Sequence, residues 1–172
     1  NLVMGSPKQR NRPEGMELAN AMSQAAHIMR PLADRAQAVG ATIAIECNPP
    51  EYGTNFLTSA DETLRFVQVA DHPAIRLNFD VGALHLTGHA DQVEPLLEAA
   101  APVINHVHIS EPYLGPAPAD LAYTTRILRK LQALDYTKAI SIEMARSNNS
   151  LTQLKVSLQH LNDARSLIRR DI

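Results

Sequence analysis

The chain has 172 residues, 45% of them hydrophobic and 20% charged, which excludes a disordered or low-complexity polymer. Sixteen Lys and Arg against eighteen Asp and Glu leave a formal net charge of −2, so a nucleic-acid surface built on bulk charge is not expected. No apolar run reaches the roughly 18 residues of a membrane helix, and one cysteine, Cys47, excludes an intrachain disulfide and fits a reducing, cytoplasmic setting.

Taken in order, the chain repeats one unit: a short β-branched run, a polar loop, an amphipathic helix. Leu2 to Met4 is the first run, closed by Gly5-Ser6-Pro7. A charged loop over Lys8 to Glu14 leads into a helical stretch ending near Val39. Its apolar positions Met22, Ala25, Ala26, Met29, Leu32, Ala33 and Ala36 recur at three- and four-residue steps. Pro31 is expected to kink or split that helix, and Gly40 to stop it. The second run is Thr42 to Glu46, followed by a Pro, Gly and Asn-rich loop from Cys47 to Thr58. Thr58 or Ser59 should cap a helix over Ala60 to Ala70, with Glu62 in its first turn, and His72-Pro73 should break it.

The third run, Ile75 to Asp80, is followed by Val81 to Gly88 and a helix near Asp91 to Ala100. The fourth is Val103 to Ile109, with a loop from Ser110 to Pro118 and a helix from about Asp120 to Leu134. The fifth is Ala139 to Glu143, with a last helix over Leu151 to Ile168. The charges from Asp163 to Asp171 read as a solvated helix face. Five strands alternating with helices imply βαβ connections and a parallel sheet, in one domain over residues 1–172.

Strand parity chooses between an open sheet and a barrel. Ile43 and Ile45, then Ile75, Leu77 and Phe79, then Val103, Val107 and Ile109, then Ile140 and Ile142 form apolar faces. The opposite faces carry Thr42, Ala44 and Glu46; Arg76, Asn78 and Asp80; Ile104, His106 and His108; and Ala139, Ser141 and Glu143. A sheet covered by helices on both sides is apolar on both faces. One small or polar face ending in an ionisable group, repeated from strand to strand, fits the interior of a (β/α)8 TIM barrel with its site at the C-terminal rim. No Gly-x-Gly-x-x-Gly follows a strand, which argues against a dinucleotide fold. A full barrel needs eight units and about 250 residues. The reading is therefore a partial (β/α)8 TIM barrel, five parallel units corresponding to strands four to eight. The three N-terminal β–α units are absent, and the Asn1 start suggests a fragment.

Glu46, Asp80, His108 and Glu143 each end a strand, one unit apart, on the inward face. Alone, such a carboxylate is usually a loop cap and such a histidine a hydrogen-bonded core residue. Three carboxylates converging without a counter-charge would repel one another, and a divalent cation resolves this. Three oxygens and one imidazole favour Mn²⁺ or Mg²⁺, with Zn²⁺ or Co²⁺ as further candidates. His106, one layer deeper, and His85 are expected behind the ligands. His27, His160, His72, His89 and Cys47 read as ordinary helix, loop or core residues.

The segments Ile45-Glu46-Cys47-Asn48-Pro49-Pro50-Glu51-Tyr52-Gly53-Thr54-Asn55-Phe56, Asn78-Phe79-Asp80-Val81-Gly82, His106-Val107-His108-Ile109-Ser110-Glu111-Pro112 and Ser141-Ile142-Glu143-Met144 resemble the sugar phosphate isomerase/epimerase family of the xylose isomerase-like TIM barrel superfamily. That superfamily also holds ketose 3-epimerases, hydroxypyruvate isomerase, inosose dehydratase and endonuclease IV. The resemblance implies one metal, commonly Mn²⁺, on Glu46, Asp80, His108 and Glu143. It further implies a small sugar or polyol substrate, a place in carbohydrate metabolism and no membrane or nucleic-acid partner; a homo-oligomer is an open expectation. Many members carry a His three residues after the Asp and an Arg six after the metal His. Here these positions are Ala83, with His85 nearest, and Leu114, which tells against a simple ketose epimerase.

The reaction expected is proton transfer next to a carbonyl through a metal-stabilised enediolate. Glu46 and Glu143 would act as base and acid, while Asn48, Asn11 and Arg146 in the rim loops would bind hydroxyls. Two alternatives remain: a metal-dependent polyol dehydratase of the inosose dehydratase kind, and a non-catalytic truncated chain. A three-zinc nuclease fits the charge and the 4% aromatic content poorly.

Overall fold

A computed structural model of the chain describes residues 1–169. Five strands, β1 (Leu2–Met4), β2 (Ile43–Glu46), β3 (Ile75–Asp80), β4 (Ile104–Ser110) and β5 (Ile140–Glu143), form one sheet in the order β1-β2-β3-β4-β5. The pairings of β1 with β2, β2 with β3 and β4 with β5 are parallel. Six helices complete the units: α1 (Leu18–Ala38), α2 (Ala60–Ala70), α3 (Val81–Leu86), α4 (Val93–Ala100), α5 (Leu121–Ala133) and α6 (Ser150–Arg169). This is the parallel β–α succession that the sequence implied.

The chain forms two compact units, one of residues Asn1–Phe79 with Pro102–His106, the other of Asp80–Ala101 with Val107–Ile172. In the first, α1 buries Met22, Ala26, Met29, Ala33 and Ala36, the stripe expected from its periodicity. Leu32 departs from that expectation. It is exposed together with Ile28, because both project from the flank of the stripe rather than its centre. Pro31 neither splits nor ends α1. It sits on the exposed side, so the backbone carbonyl deprived of a partner has water within reach.

Ser59, rather than Thr58, caps α2, its hydroxyl accepting from Glu62 N at 3.1 Å. Glu62 in turn accepts from the amides of Leu57 and Thr58, each at 3.0 Å. Phe66 is fully buried and meets Phe56 edge-to-face at 6.1 Å between ring centroids. The register places Glu46 beside Asn78.

The second unit is built around Leu84, Val93, Leu97, Val107, Ile109, Ile127 and Leu131, with Ala164 of α6 fully buried. Asp120 caps α5 through Tyr123 N at 2.9 Å. β4 runs one residue later than its hydrophobic pattern suggested, so that Ser110 belongs to the strand and pairs with Glu143. The stretch after Asp80 is helical at once, because Asp80 is itself the cap of α3. Of the charged run ending at Asp171, Arg170 and Asp171 lie outside the described residues. No helix among the described residues is long and apolar enough to cross a membrane.

Candidate metal centre

In the second unit, three expected ligands meet: Asp80 and Glu143 end β3 and β5, while His108 lies two residues before the end of β4. His108 Nδ1 lies 3.1 Å from Glu143 Oε2 and 3.7 Å from Asp80 Oδ2. Asp80 is fixed at both oxygens: Oδ1 accepts from Ala83 N at 2.7 Å, Oδ2 from Ser110 Oγ at 2.7 Å. Ser110 Oγ also accepts from Gly82 N at 2.8 Å. That closeness requires glycine, since a Cβ on Gly82 would stand 2.9 Å from Ser110 Oγ and from the Glu111 carbonyl. His108 is buried and the Asp80 side chain is 8% exposed, whereas the Glu143 side chain keeps 38% of its surface exposed.

In the first unit, Glu46 is buried and held by two amides. Asn78 Nδ2 donates to Oε1 at 2.6 Å and Asn48 Nδ2 to Oε2 at 3.1 Å. Asn48 Nδ2 also donates to Cys47 O at 2.9 Å. Its own Oδ1 is buried without a hydrogen-bond partner. A Cβ on Gly5 would fall 2.6 Å from Glu46 Oε2 and 3.3 Å from Asn48 Oδ1, so the room beside both acceptors depends on a missing side chain. Arg10 donates to the backbone oxygens of Glu46 at 2.8 Å and Leu57 at 3.2 Å. Burial pulls its guanidinium below the usual value, against the opposing pull of the Cys47, Glu46 and Glu62 charges.

Within the second unit, the two carboxylates of Asp80 and Glu143 and the imidazole of His108 fit a divalent cation.

The other expected residues are dispersed. Asn48 is buried against Glu46, as described. Asn11 is exposed and ties two loops, donating to Gly53 O at 3.4 Å and accepting from Asn55 N at 3.1 Å. Arg146 is exposed in the loop after β5, and His106 is half-buried on β4. His85 is exposed on α3, its ring edge-on to Tyr123 at 4.9 Å. Ser110 and Asn78 were missed, although parity marks both: Ser110 shares the face of His106 and His108, and Asn78 that of Asp80. Gly5 and Arg10 carry no such signal, because their roles arise from loop contacts.

Parallel strands, each followed by a helix, with ionisable side chains at the strand ends, define an α/β protein of the partial TIM-barrel class. The family model described as xylose isomerase-like TIM barrel matches residues 1–164, and the chain belongs to that family. No curated protein matches the sequence. Among solved structures, it is similar to 3-keto-D-glucoside 4-epimerase from E. coli at 14% identity and a TM-score of 0.69, covering 92% of this chain and 57% of that one. It is similar to D-psicose 3-epimerase from Clostridium cellulolyticum H10, a structure with D-tagatose, at 15% identity and a TM-score of 0.69, covering 91% and 58%. It is also similar to an AP endonuclease, family 2, from Brucella melitensis at 16% identity and a TM-score of 0.71, covering 85% and 57%. The chain thus spans a little over half the length of these relatives, and the likeness shows the fold.

Proposed function

We propose that the chain carries the metal and proton-transfer groups of a divalent-metal-dependent sugar or polyol isomerase/epimerase. The observation that carries this reading is the donor set Asp80, His108 and Glu143 gathered in the second unit; Glu46, held by Asn48 and Asn78 in the first, is the fourth ligand of the proposal. The sugar epimerases among the similar structures support the substrate class, and the proposal keeps Arg146, exposed in the loop after β5, as a group for substrate hydroxyls. A bound divalent ion, with Mn²⁺ the first choice, would polarise a substrate carbonyl and so acidify the neighbouring C–H.

The chain's own groups do the rest. Asn48 and Asn78 each hold one oxygen of Glu46, leaving the carboxylate oriented and able to accept a proton at a remaining lone pair. Glu143, half-exposed and linked to His108, would return the proton. Asn48 Oδ1, buried without a donor, accepts from a substrate hydroxyl. Asp80, tied at both oxygens by α3 and Ser110, holds its position and moves no proton.

The test has two arms. Calorimetric titration with Mn²⁺ of the wild-type chain and of Glu143→Gln should show binding that weakens in the variant. Incubation with a panel of ketoses in heavy water, read by NMR, should show solvent deuterium entering at the carbon beside the carbonyl, and Glu143→Gln should abolish it. Metal binding without exchange on any ketose, but with water loss from a cyclic polyol, would replace the epimerase reading by the dehydratase one. Absence of metal binding in folded wild-type protein would refute both.

A further inference from the structure

We infer that Arg10 is the positioning residue of Glu46, fixing the backbone from which that carboxylate projects; the inference rests on the metal-dependent reading above. Arg10 lies in the loop after β1, far from Glu46 in sequence. Its Nη1 donates to Glu46 O at 2.8 Å and its Nη2 to Leu57 O at 3.2 Å. Those two carbonyls stand at the two ends of the loop that follows β2, and Asn48 N closes the same loop on Leu57 O at 3.1 Å.

Leu57 needs such holding, for it sits at φ 58°, the left-handed region that a branched side chain avoids at a cost of about 1–3 kcal/mol. Glu62 grips the amide of Leu57 and Arg10 its carbonyl. A planar fork with fixed donor directions spans two carbonyls; an ammonium, a single point of charge, does not. Burying a guanidinium is costly, and the Nε of Arg10 has no partner, so a surface role does not account for the residue. The backbone of Glu46 is thus clamped by Arg10, while its carboxylate is clamped by Asn48 and Asn78.

Metal affinity of the folded chain reads this role directly. Arg10→Lys keeps the charge and loses the fork, and groups that orient a metal ligand typically contribute about 10–100-fold in affinity. The expected result is wild-type circular dichroism with Mn²⁺ binding weakened at least about tenfold. Asn55→Ala is the control: it removes the contacts of Asn55 with Arg12 N at 2.6 Å and Arg12 O at 3.0 Å, which join the same two loops without touching Glu46. Its affinity should equal that of the wild type. Where the lysine variant does not fold, Arg10→Gln, which retains one donor group, takes its place with the same expectation.

Unchanged affinity in a folded Arg10 variant overturns the inference and leaves the metal reading standing. Equal weakening in Asn55→Ala overturns it as well, since loop integrity alone would then explain the loss. No Mn²⁺ binding by the wild-type chain overturns the metal reading and this inference with it.

Discussion

Gly5→Ala tests the placement of Glu46 with one methyl group. The added Cβ would lie 2.6 Å from Glu46 Oε2, whereas ordinary carbon–oxygen contact begins near 3.4 Å, an overlap of about 0.8 Å. The atom in its way is the far end of a side chain, so the carboxylate can swing aside without moving backbone. Gly5 itself is not among the residues at positive φ, so alanine suits its backbone and removes unfolded-state entropy worth about 0.4–1 kcal/mol. Fold stability should change little or rise. The ligand, however, must leave the grip of Asn48 Nδ2 at 3.1 Å and Asn78 Nδ2 at 2.6 Å. Each hydrogen bond to a charged group contributes about 1.5–3 kcal/mol. Loss of one lowers Mn²⁺ affinity by roughly 10–100-fold, or about 1.4–2.8 kcal/mol. The assay is calorimetric Mn²⁺ titration beside urea unfolding of the same samples. Wild-type affinity in a folded Gly5→Ala variant would refute the reasoning, because Glu46 would then tolerate displacement without consequence.

Ser110→Ala should cost about 1–3 kcal/mol in urea unfolding, since Gly82 N is left buried without its acceptor and Asp80 Oδ2 loses its donor. The extra stability conferred by saturating Mn²⁺ should shrink in the same variant. Phe66→Ala, which empties the core between α2 and Phe56, should lower unfolding free energy by about 3–5 kcal/mol without altering metal affinity once folded. Burial pushes the phenols of Tyr123 and Tyr136 up to about 12. The neutral phenol is favoured in the folded state, so this contribution is complete below the unfolded value near 10 and is lost as pH rises towards about 12. Phenolate absorbance should show a late-titrating component from Tyr123 and Tyr136, and Tyr123→Phe should diminish it.

Much of the architecture was legible because a buried strand writes its two faces at alternate positions. Ile75, Leu77 and Phe79 against Asn78 and Asp80 announce an inward polar face before any coordinates. The family assignment and the partial barrel stand as the motifs implied. Asn78 and Ser110 were equally visible by parity, yet neutral side chains draw less notice than carboxylates. Pro31 does not split its helix, since it sits on the exposed face of α1, where the freed carbonyl one turn back can reach water. Gly5 and Arg10 had no periodic signature at all. Their meaning lies in what the loops after β1 and β2 bring within hydrogen-bond reach, which sequence spacing does not encode.

The loop joining Glu46 to Leu57 also begins with Cys47, the single cysteine of the chain, buried to 6% exposure. A thiol reagent therefore gains access to it only when the structure around it opens. The rate of labelling then measures the frequency of that local opening in the native protein, with no engineered probe. Reagent reactivity sets the ceiling, and the free energy of opening follows from how far the observed rate lies below it. The chain thus carries its own clock for the segment that holds Glu46, and a ligand that tightens this segment would slow it.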